Sequence, residues 1–175
     1  NGIEYRDTRE FGNWGNLLAA QKYLQSEFVL LLHDDDLIHP EYLDAALQVF
    51  SADSEVNLLT AHAVPWDIAQ TRVNLPKLRA VGHMFSSREY STYVYNASHP
   101  SYSLAIYRSC LYKKIDLVDN FEKYGKWGDV PLMLETIQSG KAAVLTDACG
   151  WMGVHAGQDT NDEATRPPYQ SWINR

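Results

Sequence analysis

The chain has 175 residues, 45% of them hydrophobic and 21% charged, with a formal net charge of -7. Such a length supports one domain with a sizeable core, and the composition excludes general disorder. The acidic balance excludes non-specific nucleic-acid binding, which needs basic stripes to displace counterions, and leaves as partners neutral molecules or anions held through a divalent cation.

From Trp14 to Gln25, the residues Leu17, Leu18, Ala20, Tyr23 and Leu24 recur at helical spacing, with Asn13 ahead of them as a cap. Phe28–Leu32 is a continuous apolar run without alternation, the pattern of a strand buried on both faces of a parallel sheet. It is also the longest apolar run, far short of a membrane span. The carboxyl end of this strand delivers Asp34, Asp35 and Asp36. Pro40 opens a helix reaching about Phe50, and Val56–Ala61 reads as the next strand. This alternation predicts right-handed crossovers and a mostly parallel α/β sheet, with ligands beyond the carboxyl ends of the strands.

Between Val64 and Tyr102 the periodicity fades and aromatic residues accumulate, predicting a long connection. Its tyrosines, Tyr90 among them, suit either packing or an acceptor-sugar surface. Leu104–Tyr112 reads as a short helix. Asp129–Gln138 reads as a well-punctuated one, with Pro131 in its first turn and Gly140 past its end. Ala142–Leu145 and Gly150–Val154 read as short strands, and 157–175 as a loop-like tail containing Pro167-Pro168. The whole of 1–175 reads as a single domain. Cys110 and Cys149 fit no metal-ligand spacing and read as two unpaired buried thiols of a reducing compartment, with a single disulfide between them as the alternative.

Three features carry chemistry. In Leu32-His33-Asp34-Asp35-Asp36-Leu37-Ile38-His39-Pro40, three adjacent carboxylates repel one another, and their joint charge is costly without a cation. Hard carboxylate oxygens select Mg²⁺ or Mn²⁺, ions that bind substrate phosphates while keeping several waters. The competing reading is a solvated acidic turn capping the next helix. In Trp127-Gly128-Asp129-Val130-Pro131, Asp129 begins a helix, where the free amides favour a carboxylate. Its bland role is an N-cap, and Trp127 is either core or an apolar platform for a sugar ring. The third feature, Trp151-Met-Gly-Val-His155, ends on a histidine suited to structural hydrogen bonding, to a metal as imidazole, or to phosphate as imidazolium.

The stretch Asn16-Leu-Leu-Ala-Ala, Glu27-Phe-Val-Leu-Leu-Leu and His33-Asp-Asp-Asp-Leu-Ile-His-Pro-Glu-Tyr-Leu resembles the central part of family 2 inverting glycosyltransferases. The resemblance implies the α/β GT-A fold, N-terminally truncated here to about the last two-thirds of the domain. It implies that Asn16 and the cluster Asp34, Asp35 and Asp36 bind a nucleotide-sugar donor, the acids through the metal. Asp34 and Asp36 fit the Asp-x-Asp spacing, whereas counting back from Pro40 selects Asp35. His33 stands where many members carry an acid. Members also place an acidic pair at the later helix start, whose aspartate deprotonates the acceptor hydroxyl. Asp129 matches it and Gly128 replaces the glutamate, with Trp127 and Gly128 toward the acceptor. His155 matches a histidine near the metal and phosphates.

The function so implied is metal-dependent inverting transfer to a sugar, lipid or protein hydroxyl. The expected location is cytoplasmic, either free or at the inner face of a membrane. The alternative is a non-catalytic carbohydrate- or partner-binding domain of the same descent.

Overall fold

The computed structural model describes residues 15–33, 35–67, 78, 82–96, 104–124 and 128–154. In chain order the elements are α1 (Gly15–Tyr23), β1 (Phe28–Leu30), β2 (Leu37–Ile38), α2 (Tyr42–Ala52), β3 (Val56–Asp67), β4 (Gly82–Ser86), α3 (Ser87–Asn96), β5 (Ile106–Arg108), α4 (Ser109–Tyr112), α5 (Leu117–Tyr124), α6 (Asp129–Thr136) and β6 (Lys141–Val154). The expected α/β class is what the structure shows.

The sheet runs β1-β5-β3-β6-β2, with β4 also pairing β6. Its pairing differs from the mostly parallel expectation. Only β3 and β6 pair in parallel, while β5 lies antiparallel between β1 and β3, and β2 and β4 lie antiparallel on β6. It follows that β1, β3 and β6 still point the same way, as alternating helices and strands require. The antiparallel insertions come from short segments whose direction no crossover helix dictates.

β1 is consequently the end strand of the sheet rather than one flanked on both sides, and its burial is confined to Val29. The segment read as a helix over Leu104–Tyr112 instead contains β5 and then α4. Tyr107 pairs with Val29 on one side and Leu58 on the other, so two ladders override a run with no decisive period.

The strands expected at Ala142–Leu145 and Gly150–Val154 are one strand, β6. Its ladder with β3 skips residues where Ala61, His62 and Ala63 face Leu145, Ala148 and Gly150, an irregularity that hides the continuity in sequence. The supposed connection from Val64 onward contains the end of β3, β4 and α3.

Two apolar layers sandwich the sheet. Strand alternation sends Leu59, Ala143 and Leu145 toward Tyr42, Ala46 and Phe50 of α2. Leu58, Ala142 and Val144 go to the other layer, with Tyr90 of α3, Phe121 of α5 and Leu132 and Met133 of α6. Each buried Leu, Val, Phe or Met among them contributes roughly 1.5–3 kcal/mol. Among the described residues no helix is long and apolar enough to cross a membrane. Cys149 is buried as expected, but Cys110 is exposed, and both are free thiols.

Candidate functional site

β1 ends at Leu30, and the chain then turns through His33 and Asp35 into Asp36 and β2. β2 pairs antiparallel with Trp151 and Gly150 near the end of β6. Gly150 is required there because a Cβ would stand 2.8 Å from the Leu37 carbonyl oxygen and 2.7 Å from Leu104 Cδ2. Further bonds hold the turn down: the His39 amide donates to the Cys149 carbonyl at 2.8 Å, and the Glu41 amide donates to His39 Nδ1 at 3.1 Å. The Tyr42 hydroxyl, fully buried, donates to the Leu104 carbonyl.

This framework fixes Asp36. Its side chain is only 3% exposed. Oδ1 accepts a hydrogen bond from the Gly153 amide at 3.0 Å, while the buried Oδ2 has no hydrogen-bond partner among the described residues. Leaving a buried acceptor unmatched costs about 1–3 kcal/mol, and more when the group is charged. His33 Nδ1 lies 3.8 Å from it, beyond hydrogen-bonding range. One ligand atom each from His33, Asp35 and Asp36 lies within 4.8 Å of the others.

That set has the size and donor types to hold a divalent cation, and an unmatched buried carboxylate oxygen faces it. The turn is therefore not simply solvated: His33 is exposed, Asp35 half-buried and Asp36 buried. The cluster lies past the carboxyl end of β1, beside the carboxyl end of β6, and Trp66 and Asp67 at the end of β3 are in register with Gly153 and Val154. This is the expected edge.

Asp129 begins α6, as the sequence suggests. Its Oδ1 accepts from the Val130 amide at 2.9 Å, a local helix-start contact. Across from it is Tyr90 of α3, whose hydroxyl is buried and without a hydrogen-bond partner among the described residues. Burial raises that hydroxyl's pKa far above its ordinary value, with the Tyr93 hydroxyl and then the Asp129 carboxylate adding to the effect. Gly128 is buried, with ordinary right-handed backbone (φ -63°). A Cβ there would come within 2.6 Å of Phe121 Cδ1, so α5 occupies the space a side chain at 128 would need.

Asn16 is exposed in the first turn of α1. The structure brings Asp35 and Asp36 together with His33; Asp129 has its described neighbours on α3 and α6 instead. Asp34, Trp127 and His155 lie outside the described residues, as does the 157–175 tail.

Sequence reasoning does not reach one participant. The Gly153 amide comes from 117 residues away in the chain, and no local pattern announces it. Tyr93 of α3 packs on Phe85 with ring centroids 5.0 Å apart and shares a 3.0 Å hydrogen bond with His62 Nε2. Both Tyr90 and Tyr93 sit on a helix that Ser86-x-x-Glu89 signals, a capping box in which the Ser86 amide donates to Glu89 Oε2 at 2.8 Å. Tyr90 is fully buried, which assigns it to packing.

No protein-family model and no curated protein sequence matches the chain. Solved structures do resemble it. S. aureus TarS 1-349 in complex with UDP shares 20% sequence identity at a TM-score of 0.51, over 78% of this chain and 38% of that one. A second structure of S. aureus TarS 1-349 gives 21% and 0.50, over 77% and 38%. TarS is a glycosyltransferase, and the chain thus has a glycosyltransferase-like fold, a central sheet flanked by helices. It spans less than two-fifths of those neighbours' length.

Proposed function

We propose that this chain forms the metal- and acceptor-side part of a GT-A family 2 inverting glycosyltransferase using a nucleotide-sugar donor. The observation that carries the reading is Asp36: a buried carboxylate with one oxygen tied to β6 and the other unmatched. It faces His33 and Asp35 at the strand edge where such folds bind ligands. The structural likeness to a protein crystallised with UDP supports a nucleoside diphosphate as the donor's leaving part.

In this reading Mg²⁺ or Mn²⁺ is held by the Asp34–Asp36 cluster, with His155 close by, and supplies positive charge for the departing diphosphate. Asn16 is assigned to the donor side. The acceptor hydroxyl, on a sugar, lipid or protein, rests toward Trp127 and Gly128. Asp129 takes its proton as the oxygen bonds to the anomeric carbon. The bond from that carbon to the diphosphate breaks on the opposite face, so configuration inverts. The remainder of catalysis is positioning and fixed charge.

One observation favours the second reading, a non-catalytic binding domain. Phe121 fills the space beside Gly128, so no acidic partner of Asp129 fits at that position. The test is Asp129→Asn in the full chain, assayed for sugar transfer and for nucleotide binding. Loss of transfer with binding retained is the expected result. Unchanged turnover removes the base assignment, and absent turnover in the unsubstituted protein favours the binding domain.

A further inference from the structure

Among the described residues, the proposed site differs from an all-carboxylate one in the imidazole of His33. Its side chain is 56% exposed, so nothing in the core requires a histidine there. Its Nδ1 is nonetheless 3.8 Å from the buried, unmatched Oδ2 of Asp36. That separation is too long for a hydrogen bond and suits two donors meeting at one ion, since cation–ligand bonds of about 2.0–2.2 Å place neighbouring ligands roughly 3–4 Å apart. Asp35 offers a third donor atom within the same 4.8 Å.

We infer that His33 is a ligand of the cation and sets its identity, turning an oxygen site into a mixed nitrogen–oxygen site that discriminates against Mg²⁺ in favour of Mn²⁺. The inference rests on the metal reading proposed above and deepens it. The chemistry is general. Mg²⁺ demands near-ideal octahedral oxygen coordination and gives up water reluctantly, whereas imidazole is a borderline donor suited to transition metals. A site with one nitrogen and two carboxylates therefore loses more with Mg²⁺ than with Mn²⁺. Because His33 is largely exposed, it can be exchanged without opening a cavity, and Asp36 keeps its bond to Gly153.

The experiment is Mn²⁺ binding to the full chain followed by electron paramagnetic resonance, with Mg²⁺ affinity read by competition, for the unsubstituted protein, His33→Ala and His33→Asp. The unsubstituted protein is expected to show nitrogen modulation on bound Mn²⁺ and a preference for Mn²⁺ over Mg²⁺. Outer-shell partners of metal ligands are already worth about 10–100-fold in affinity, so His33→Ala is expected to weaken Mn²⁺ by at least about tenfold and Mg²⁺ by far less. His33→Asp is expected to bind both ions with the preference narrowed and the nitrogen modulation reduced. If the unsubstituted protein binds Mn²⁺ and both variants keep its Mn²⁺:Mg²⁺ ratio, His33 is not a ligand and the inference fails while the metal reading stands. If the unsubstituted protein binds neither ion, both fail together.

Discussion

The amide of Gly153 donates to Asp36 Oδ1 at 3.0 Å, joining the end of the longest strand to the first acidic turn of the chain. The bond does two things. It fixes the carboxylate's rotation so that Oδ2 turns toward His33, and it ties the end of β6 to the cluster.

Asp36→Asn keeps an oxygen for the Gly153 amide and removes the charge, and is expected to preserve the fold while cutting Mn²⁺ affinity by more than tenfold. Asp36→Val removes both, and with them the bond from the Gly153 amide, worth roughly 1.5–3 kcal/mol for a hydrogen bond to a charged group. Chemical denaturation separates the two variants. Equal stability of Asn and Val forms contradicts the role given to this bond.

Gly128 tests the acceptor side through packing. A Cβ at 128 meets the Phe121 ring at 2.6–3.1 Å, and Phe121 is itself buried against α6. Gly128→Ala is expected to destabilise by about 1–3 kcal/mol, the usual cost of overpacking. Adding Phe121→Leu should recover part of that loss in a double-mutant cycle. Additive losses would show that the ring does not occupy the position.

The two thiols should part company in chemistry. Cys110 is exposed, whereas burial, aided by the negative charge of Asp147, pushes the Cys149 thiol up to about 12. One thiol per chain is expected to react with an aromatic disulfide reagent under native conditions, and two after unfolding. The shift also gives a pH dependence. Free cysteine titrates near 8.5, so above that pH the unfolded chain releases a proton the folded chain keeps. Stability from this group is complete below about 8.5 and falls as pH rises toward 12. Cys149→Ala should flatten that alkaline limb. An unaltered slope would remove the assignment.

Tyr42 is buried in full, and its hydroxyl donates to the Leu104 carbonyl, closing the site framework from the α2 side. Tyr42→Phe is expected to cost about 1–3 kcal/mol by stranding that carbonyl, with little change in nucleotide affinity. A binding loss without a stability loss would place Tyr42 in the site itself.

What could be read from sequence divides along a physical line. α1, α2 and α6 are legible because periodic apolar residues and local punctuation, Pro40 and Pro131 among them, act within one element. The acidic cluster is legible for the same reason, its members being adjacent. β5 is not, since Ile106 and Tyr107 acquire strand geometry only from partners 47 to 78 residues earlier in the chain. The continuity of β6 is hidden by its irregular register against Ala61–Ala63. α3 is announced by Ser86 and Glu89, a signal outweighed by the surrounding loss of periodicity. The exposure of His33 beside a buried Asp36 depends on a turn whose shape β6 imposes, so neighbouring residues in sequence end in different environments.

The account's central claim is that a cation at Asp35 and Asp36 couples this fold to a nucleoside diphosphate, and calorimetric titration of the full chain with UDP, with and without Mn²⁺, tests it most directly. The account predicts UDP binding that requires Mn²⁺ and is lost in both Asp35→Ala and Asp36→Ala. UDP binding of equal strength without the metal, or unchanged in both variants, would contradict it.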